Sequence, residues 1–595
     1  MIKHIKRLNP QWRKFWQFVC LAGLTLSLIV GISAITHYST QLSTESASVE
    51  PIARENLPSE STISAEGGAT NTPEAEESGE RETFIGWGKS NANCGSDRGG
   101  PTDNAIAAAY GNDAYPWTNK IKWDCVYNIK DFSAATMVAQ FNAARDAAAK
   151  SGGVVYFPAG TYNFEDSIEL KNGVVIRGEN PEVRDAKSRE YRPPTQLVFP
   201  KYEPKLSGDG TPNDTAFKTI STQSVNEDSN IGLINVDVNR AAINFVNNKD
   251  NATNENIVVF GVRSNNVARP DKGVPDRSFQ EGWMRYSDRF ASNIKVHAHA
   301  NVLVANNRVN DNITDNYNQP GYKVKTIDGD AVVTYAEGNK VPFHYGNHYG
   351  IVVNRSKAGG FKPNADPDSE PRLFRKGIVI RDNWVYHTMR VAIMGAGDGL
   401  TIQSNLVKDE SGKQWWTHPT GLKQPRGAVT LENRAIDWSG WNVRIEDNTY
   451  EVYRHRVMDT GYLSVDGEGI LIQECCGGTK INGATIRNNQ GNSYIGLYKV
   501  PSMKNVEISE NRLGNSISDT SLIYVNADTN NRKSSMENVI IKNNTVEGAI
   551  FAQASAGGSG NAIENNRGNN SGSIKSSCHV RVSGNSGFKS EPCLE

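Results

Sequence analysis

Cysteine is sparse in this chain. There are 7 in 595 residues, too few for a fold held together chiefly by disulfides, and no Cys-x-x-Cys pair offers a zinc site. An excess of charge of either sign is also missing: Lys and Arg total 64 against 65 Asp and Glu, a formal net charge of -1. That balance excludes a polycationic nucleic-acid binder. Leu is scarce, and a mean hydropathy of -0.54 with one long apolar run excludes a multi-pass membrane protein. Plentiful instead are Asn and Gly, the latter with 54 residues. The 37% of hydrophobic residues still suffices for a sizeable core. This composition fits a large, turn-rich β body. It names no substrate and leaves the oligomeric state open.

The apolar run Phe15–Ile35 holds 21 residues without a charge and follows Lys3, Lys6, Arg7, Arg13 and Lys14. At about 1.5 Å per helical residue it spans a bilayer. The basic flank keeps residues 1–14 in the cytoplasm and sends the remainder across. The sequence therefore predicts a transmembrane signal anchor over 15–35, with a cleaved signal peptide as the alternative. Residues 36–83 read as a linker: between 41 and 80 lie nine acids, one Arg (Arg54) and no aromatic, and such a segment cannot repay its ordering entropy by burial. Export to the cell surface or periplasm, or secretion if the segment is cleaved, puts the body in an oxidising space. Cys94 with Cys125 and Cys578 with Cys593 are then candidate bridges; the adjacent Cys475 and Cys476 pair together, bond elsewhere or stay as thiols.

From about residue 152 short β-branched runs are broken by Gly and Asn. An Ile/Val-x-x-Asn unit recurs at Val262/Asn265, Val304/Asn307, Ile380/Asn383, Ile402/Asn405, Ile445/Asn448, Ile486/Asn489, Ile508/Asn511, Ile541/Asn544, Ile563/Asn566 and Val582/Asn585. The steps between asparagines are 42, 76, 22, 43, 41, 22, 33, 22 and 19 residues, mostly near one or two periods of about 22, the length of one coil of a parallel β-helix. Coiling brings each strand its parallel neighbour from the next period, about 4.8 Å away. Asn is expected to take the left-handed conformation at the turn and to bond the Asn one coil along.

Ahead of the repeat, SAATMVAQFNAARDAAAK (Ser133–Lys150) predicts an amphipathic helix with Ala134, Met137, Phe141, Ala144 and Ala148 on one side. GGVVYFPAGTYNF (Gly152–Phe164) and SIELKNGVVIRGE (Ser167–Glu179) follow. An alanine-rich helix, a Gly-Gly turn and these two strand motifs resemble the pectate-lyase-like superfamily, in the group whose N-terminal helix caps a right-handed parallel β-helix. The resemblance is specific over 131–180 and continues as a coil pattern to about residue 590. It implies an all-β, single-stranded parallel β-helix over 152–567, a lead-in and capping helix over 84–151 and a C-terminal closure over 568–595. Something must cover each end, because an open end exposes unpaired strand edges. The lead-in is expected over the N-terminal end. The resemblance also implies a polysaccharide ligand in a groove along one sheet. The Asn-x-Asp, Asp-Asp, Gly-His-Gly, Arg-x-Lys series of polygalacturonase-like hydrolases is absent, as is the Asp-Pro-His-Glu of alginate epimerases.

The candidate chemistry lies in the middle coils. Asp328 and Asp330 are two apart and share a face of an extended strand, as acid and base of a glycosidase, calcium ligands or a solvated turn; His344 and His348 follow as groove-lining groups. A denser patch is His387 and Arg390, with Tyr386 nearby, and then Tyr453, Arg454, His455, Arg456 and Asp459. There Arg neutralises a sugar carboxylate and acidifies the adjacent C–H, and His, Tyr or Arg takes the proton; the competing reading is a set of exterior arginines paired with acids. Asp459, Asp466 and Glu468 are alternative acids for hydrolysis, and Trp415 with Trp416 offers aromatic faces for substrate binding. No cofactor is demanded; calcium is allowed without an evident ligand set. The leading expectation is an exported, membrane-anchored lyase acting on a uronic-acid glycan. The alternatives are a glycoside hydrolase on the same fold and a non-catalytic surface polysaccharide-binding or adhesion protein.

Overall fold

A repeated inward Ile or Val dictates the architecture. Val304, Ile380, Ile402, Ile445, Ile486, Ile508, Ile541, Ile563 and Val582 pair in unbroken parallel register from one coil to the next. All but the terminal Val582 are essentially inaccessible, and each such burial contributes about 1.5–3 kcal/mol relative to exposure. The result is a right-handed parallel β-helix. In a computed structural model, the described residues are 87–88, 93–200, 205–206, 212–213, 218–222, 229–246, 254–267, 274–275, 292–310, 323–327, 330–334, 340–341, 349–354, 375–386, 391–408, 433–452, 467–473, 480–514, 522–527 and 534–594. Among them three parallel sheets of fifteen, eleven and twelve strands run along the coil axis. We call these the first, second and third sheets, in the order in which one coil visits them: Glu255–Phe260, then Arg263–Asn265, then Ser292–His297.

The corner from the first sheet to the second is an asparagine ladder. Asn307, Asn383, Asn405, Asn448, Asn489, Asn511, Asn544, Asn566 and Asn585 are joined by amide bonds, each Nδ2 donating to the next Oδ1 at 2.9–3.0 Å. Each backbone N–H donates to the same oxygen, as from Asn489 to Asn511 at 2.9 Å. Two expectations need correction. The left-handed residue is the one before each ladder Asn: Asn306, Asp382, Ser404, Asp447, Asn488, Glu510, Asn543, Asn565 and Gly584, with φ between 52° and 66°. The ladder Asn itself turns inward, where its amide is needed. Nor does Asn265 belong to the ladder. Gly261 (φ 65°) is the left-handed residue of that coil, so the corner falls at Val262, whose N–H reaches Asn307 Oδ1 at 2.9 Å. Asn265 lies three residues further, within the second sheet.

Helix α1, Ala105–Tyr110, is capped by the Asn104 side chain, and α2, Met137–Ala148, by Thr136. Ala134 is exposed and precedes α2, because Thr136 is extended and fixes the start at Met137. The Glu165 carboxylate adds bonds from the Met137 and Val138 N–H groups at 2.9 and 3.1 Å. Phe141, Ala144 and Ala148 pack into the core, where Phe141 meets Phe157 and Phe164. The lead-in does more than cover an end. Val126–Asn128 forms the terminal strand of the first sheet, while Ile106, Ile121 and Trp123 cover that sheet's apolar outer face against Val154, Val175, Ile234, Val258 and Leu303. Cys94 is bonded to Cys125 and Cys578 to Cys593. Cys475 and Cys476 lie outside the described residues, as does the segment 15–35. No described helix is long and apolar enough to cross a membrane.

Candidate functional site

Alternation along the strands decides what faces outward. On Asn433–Trp441 of the third sheet, Ile436 and Trp438 belong to the core, so Asp437 points out. Arg434, three residues earlier, reaches the same face because Ala435 and Ile436 both turn into the core and interrupt the alternation, and it donates from Nη1 to Asp437 Oδ2 at 2.5 Å. The next strand of the sheet, Gly467–Gln473, brings Glu468 directly beside Arg434. Arg434 donates from Nε and Nη2 to Glu468 Oε2 at 2.7 and 2.6 Å. One guanidinium thus holds two carboxylates from adjacent coils. The Arg434 and Asp437 side chains are 2% and 7% exposed and that of Glu468 21%, so Glu468 is the member that meets solvent.

The following coil completes the cluster. Tyr494 donates its hydroxyl to Glu468 Oε1 at 3.1 Å, and its ring meets that of Tyr498 edge to face. Gly496 sits between them: a Cβ there would come within 2.5 Å of Leu471 Cδ1 and 2.8–3.0 Å of both rings. Burial, then the Glu468 charge, pushes the Tyr494 hydroxyl well above the ordinary tyrosine range, and burial also raises Tyr498. Both hydroxyls are therefore neutral donors near pH 7.

Beyond the cluster, Tyr498, Tyr524 and Phe551 form an outer stack with centroids 4.6 and 4.8 Å apart. That spacing is the strand separation, so the rings cover one another's faces and offer mainly edges, with the Tyr524 hydroxyl accepting from Asn526 Nδ2 at 2.9 Å. On the opposite side of the cluster Tyr349, Val352, Val391 and Met394 form a separate buried apolar group. The outer face of the third sheet thus passes along the axis from apolar to charged to aromatic.

Of the residues singled out in the sequence, Glu468 is placed in this cluster. Asp330 opens the strand Asp330–Thr334, antiparallel to Lys323–Ile327 with Ile327 opposite it. Asp328, His344, His348, His387, Arg390, Trp415, Trp416, Tyr453, Arg454, His455, Arg456, Asp459 and Asp466 lie outside the described residues. Tyr386 is buried on the second sheet and accepts from Arg308 Nε at 3.2 Å. Sequence reading did not single out Arg434, Asp437, Tyr494 and Tyr498. Aligning the strands on their core residues Ile436, Ile470 and Ile495 would have put Arg434 beside Glu468, one coil before Tyr494.

Among the described residues no group of three or more His, Cys, Asp or Glu side chains is placed to hold a metal ion. At Asp437 and Glu468 the place between the carboxylates is taken by Arg434, so this pair does not fit calcium.

Residues 126–340 match the family described as Rhamnogalacturonase A/epimerase, pectate lyase-like. Together with the three-sheet coil, this match makes the body a pectate-lyase-like right-handed parallel β-helix whose subfamily is unresolved. Comparison with curated proteins gives no match. Similar solved structures include a surface adhesin of Streptococcus pneumoniae, at 13% identity and a TM-score of 0.37 over 77% of this chain and 90% of the adhesin. The A-module of a mannuronan C-5 epimerase of Azotobacter vinelandii is 12% identical with a TM-score of 0.33, over 78% of this chain and 99% of the module. A DFA-IIIase from Arthrobacter chlorophenolicus is 12% identical with a TM-score of 0.36, over 79% and 99%.

Proposed function

We propose that this protein is a carbohydrate-active β-helix that hydrolyses a glycan on the outer face of the third sheet, with Asp437 and Glu468 as its two carboxyl groups. The observation that supports this reading is the sharing of one guanidinium by two carboxylates from adjacent coils. Two carboxylates and one Arg carry one net negative charge. Glycoside hydrolysis uses two carboxyl groups, one as the acid and one as the base or nucleophile. The acid passes its proton to the glycosidic oxygen as the C–O bond breaks. The carboxylate takes a proton from the attacking water or adds to the anomeric carbon. Arg434 positions both groups, and Tyr494 fixes Glu468 through the bond to Oε1.

This reading departs from the uronate lyase that the sequence favoured. Elimination needs a base for a C–H proton, and Tyr494 and Tyr498, beside the two carboxylates, are held as neutral donors rather than bases. The match to a family described by rhamnogalacturonase and epimerase activities supports a glycan as ligand. A second reading, a surface polysaccharide-binding or adhesion protein without chemistry, draws support from the near-complete burial of Arg434 and Asp437, which also suits a purely structural ion cluster. In either case the reading includes export and tethering through residues 15–35. Membrane fractionation should recover the full chain with membranes and a soluble body after proteolysis beyond about residue 80; a mature N-terminus near residue 35 would replace the anchor by a cleaved signal peptide.

The activity test exposes the purified body to neutral and uronate glycans, following reducing ends and unsaturated products separately. New reducing ends without unsaturation, abolished in Glu468→Gln and Asp437→Asn, are expected. Unsaturated products would restore elimination. Binding without turnover of any glycan would favour the adhesion reading.

A further inference from the structure

A second polar site lies on a different face of the coil. Near its N-terminal end the second sheet carries a cleft of about 330 Å³ lined by Gln196, Val198, Asp237, Asn239, Arg263 and Asn265, among others. These residues stand in register on three neighbouring strands, Asp237 between Gln196 and Arg263 and Asn239 between Val198 and Asn265. Asp237 orients the cleft. Its Oδ1 accepts from Asn265 Nδ2 at 2.7 Å and its Oδ2 from Arg263 Nη1 at 3.0 Å. The first bond fixes which way the Asn265 amide points, with the nitrogen on the carboxylate and the oxygen turned away from it.

That arrangement leaves two complementary groups without a partner among the described residues: the acceptor Asn265 Oδ1 and the donor Arg263 Nε. Asn265 is only 5% exposed, and an unmet buried polar group costs about 1–3 kcal/mol. A hydroxyl both donates and accepts, so the hydroxyls of a sugar can meet Asn265 Oδ1 as donors and Arg263 Nε as acceptors. A carboxylate would suit Arg263 but would face two oxygen acceptors, Asn265 Oδ1 and Asp237. An ammonium ion would meet the guanidinium. The Asp237–Arg263 pair is internally neutralised, and further amides at Gln196 and Asn239 line the same space. The volume falls at the lower end of the ~300–1,000 Å³ range of small-molecule sites.

We propose that this cleft is a binding site for a neutral sugar unit, separate from the Asp437–Glu468 cluster and used for holding a glycan rather than cleaving it. The proposal does not depend on hydrolysis at the third sheet. It is tested on the full chain by saturation-transfer NMR and calorimetry with the methyl glycosides of glucose, galactose, mannose and rhamnose, and with galacturonate as the charged probe. At least one neutral glycoside should bind and galacturonate should bind at least 10-fold more weakly. Asn265→Leu removes the acceptor and should lower affinity at least 10-fold. Gln196→Trp fills the cleft from an exposed strand position, so it should abolish binding without moving the thermal midpoint. Glu468→Gln should leave this affinity unchanged. Absence of binding by all four neutral probes would overturn the site and leave the cleft to ordered water. Binding that survives Gln196→Trp, or that disappears in Glu468→Gln instead, would place the sugar elsewhere and overturn it equally.

Discussion

Two chains of hydrogen bonds run along the axis of this coil, and they differ in kind. The ladder from Asn307 to Asn585 repeats one neutral group at the same corner of successive coils, with both the amide and the backbone N–H bonded to the next asparagine. The cluster of Asp437, Arg434, Glu468, Tyr494 and Tyr498 occupies three successive strands of the third sheet with unlike, mostly ionisable groups. Repetition closes the ladder on itself and leaves it nothing to offer a ligand. In the cluster, two acids share one base and the least buried member, Glu468, faces outward.

The largest effect expected from breaking this contrast is on turnover. Glu468→Gln should lower it by about 10³-fold or more, roughly 4 kcal/mol in the transition state, with little change in unfolding midpoint; full activity in the purified variant would remove the cluster from the chemistry. The reverse pattern is expected of the ladder. Asn489→Leu strips bonds from the buried N–H and amide of Asn448 and should cost about 2–4 kcal/mol, read by denaturant titration, with activity per folded molecule retained. The penalty comes from orphaned donors and not from backbone strain, because the left-handed residue is Asn488. Gly496→Ala is intermediate. It wedges a methyl against Leu471 and the two tyrosine rings, should cost about 1–3 kcal/mol, and should also displace Tyr494 from Glu468, so stability and turnover fall together. The smallest effect appears only in alkali. Tyr450 and Tyr494 are raised above 10 chiefly by burial. Their contribution is complete below the unfolded value near pH 10 and is lost as pH rises toward the folded values, so unfolding midpoints should be flat from pH 7 to about 9.5 and fall beyond.

The same contrast explains what could be read from the sequence. Ile-x-x-Asn was legible because the same pair of residues serves the same corner in coil after coil, and nine of the ten units fall into one stack. The tenth, Val262/Asn265, has the same spacing, but its left-handed residue is Gly261, which moves the corner to Val262. The helix start was set by Thr136, a local cap that the periodicity of alanines concealed. Arg434, Asp437 and Tyr494 were not legible because each occurs once. Their meeting depends on strand register across connections of unequal length, with Arg434 and Glu468 34 residues apart and Glu468 and Tyr494 26. Spacing counted from the turn asparagines does not reveal such a meeting; counting from the core residues Ile436 and Ile470 pairs Arg434 with Glu468, while Tyr494 stands one residue out of that register. In the sequence Glu468 stands out only as one of three acids, with Asp459 and Asp466, in a short stretch.

The placement of the two disulfides bears on how long the folded coil lasts. In a linear array each coil is supported by its two neighbours, and a terminal coil by one, so unravelling is easiest to begin at an end. Cys94–Cys125 ties the lead-in to the strand that opens the first sheet, and Cys578–Cys593 fastens the tail beside the last strand of the third. Both crosslinks therefore sit where fraying would start. By holding the ends they slow the start of unwinding, in addition to constraining the unfolded chain. Lifetime of the folded state is the property that such end fastening protects.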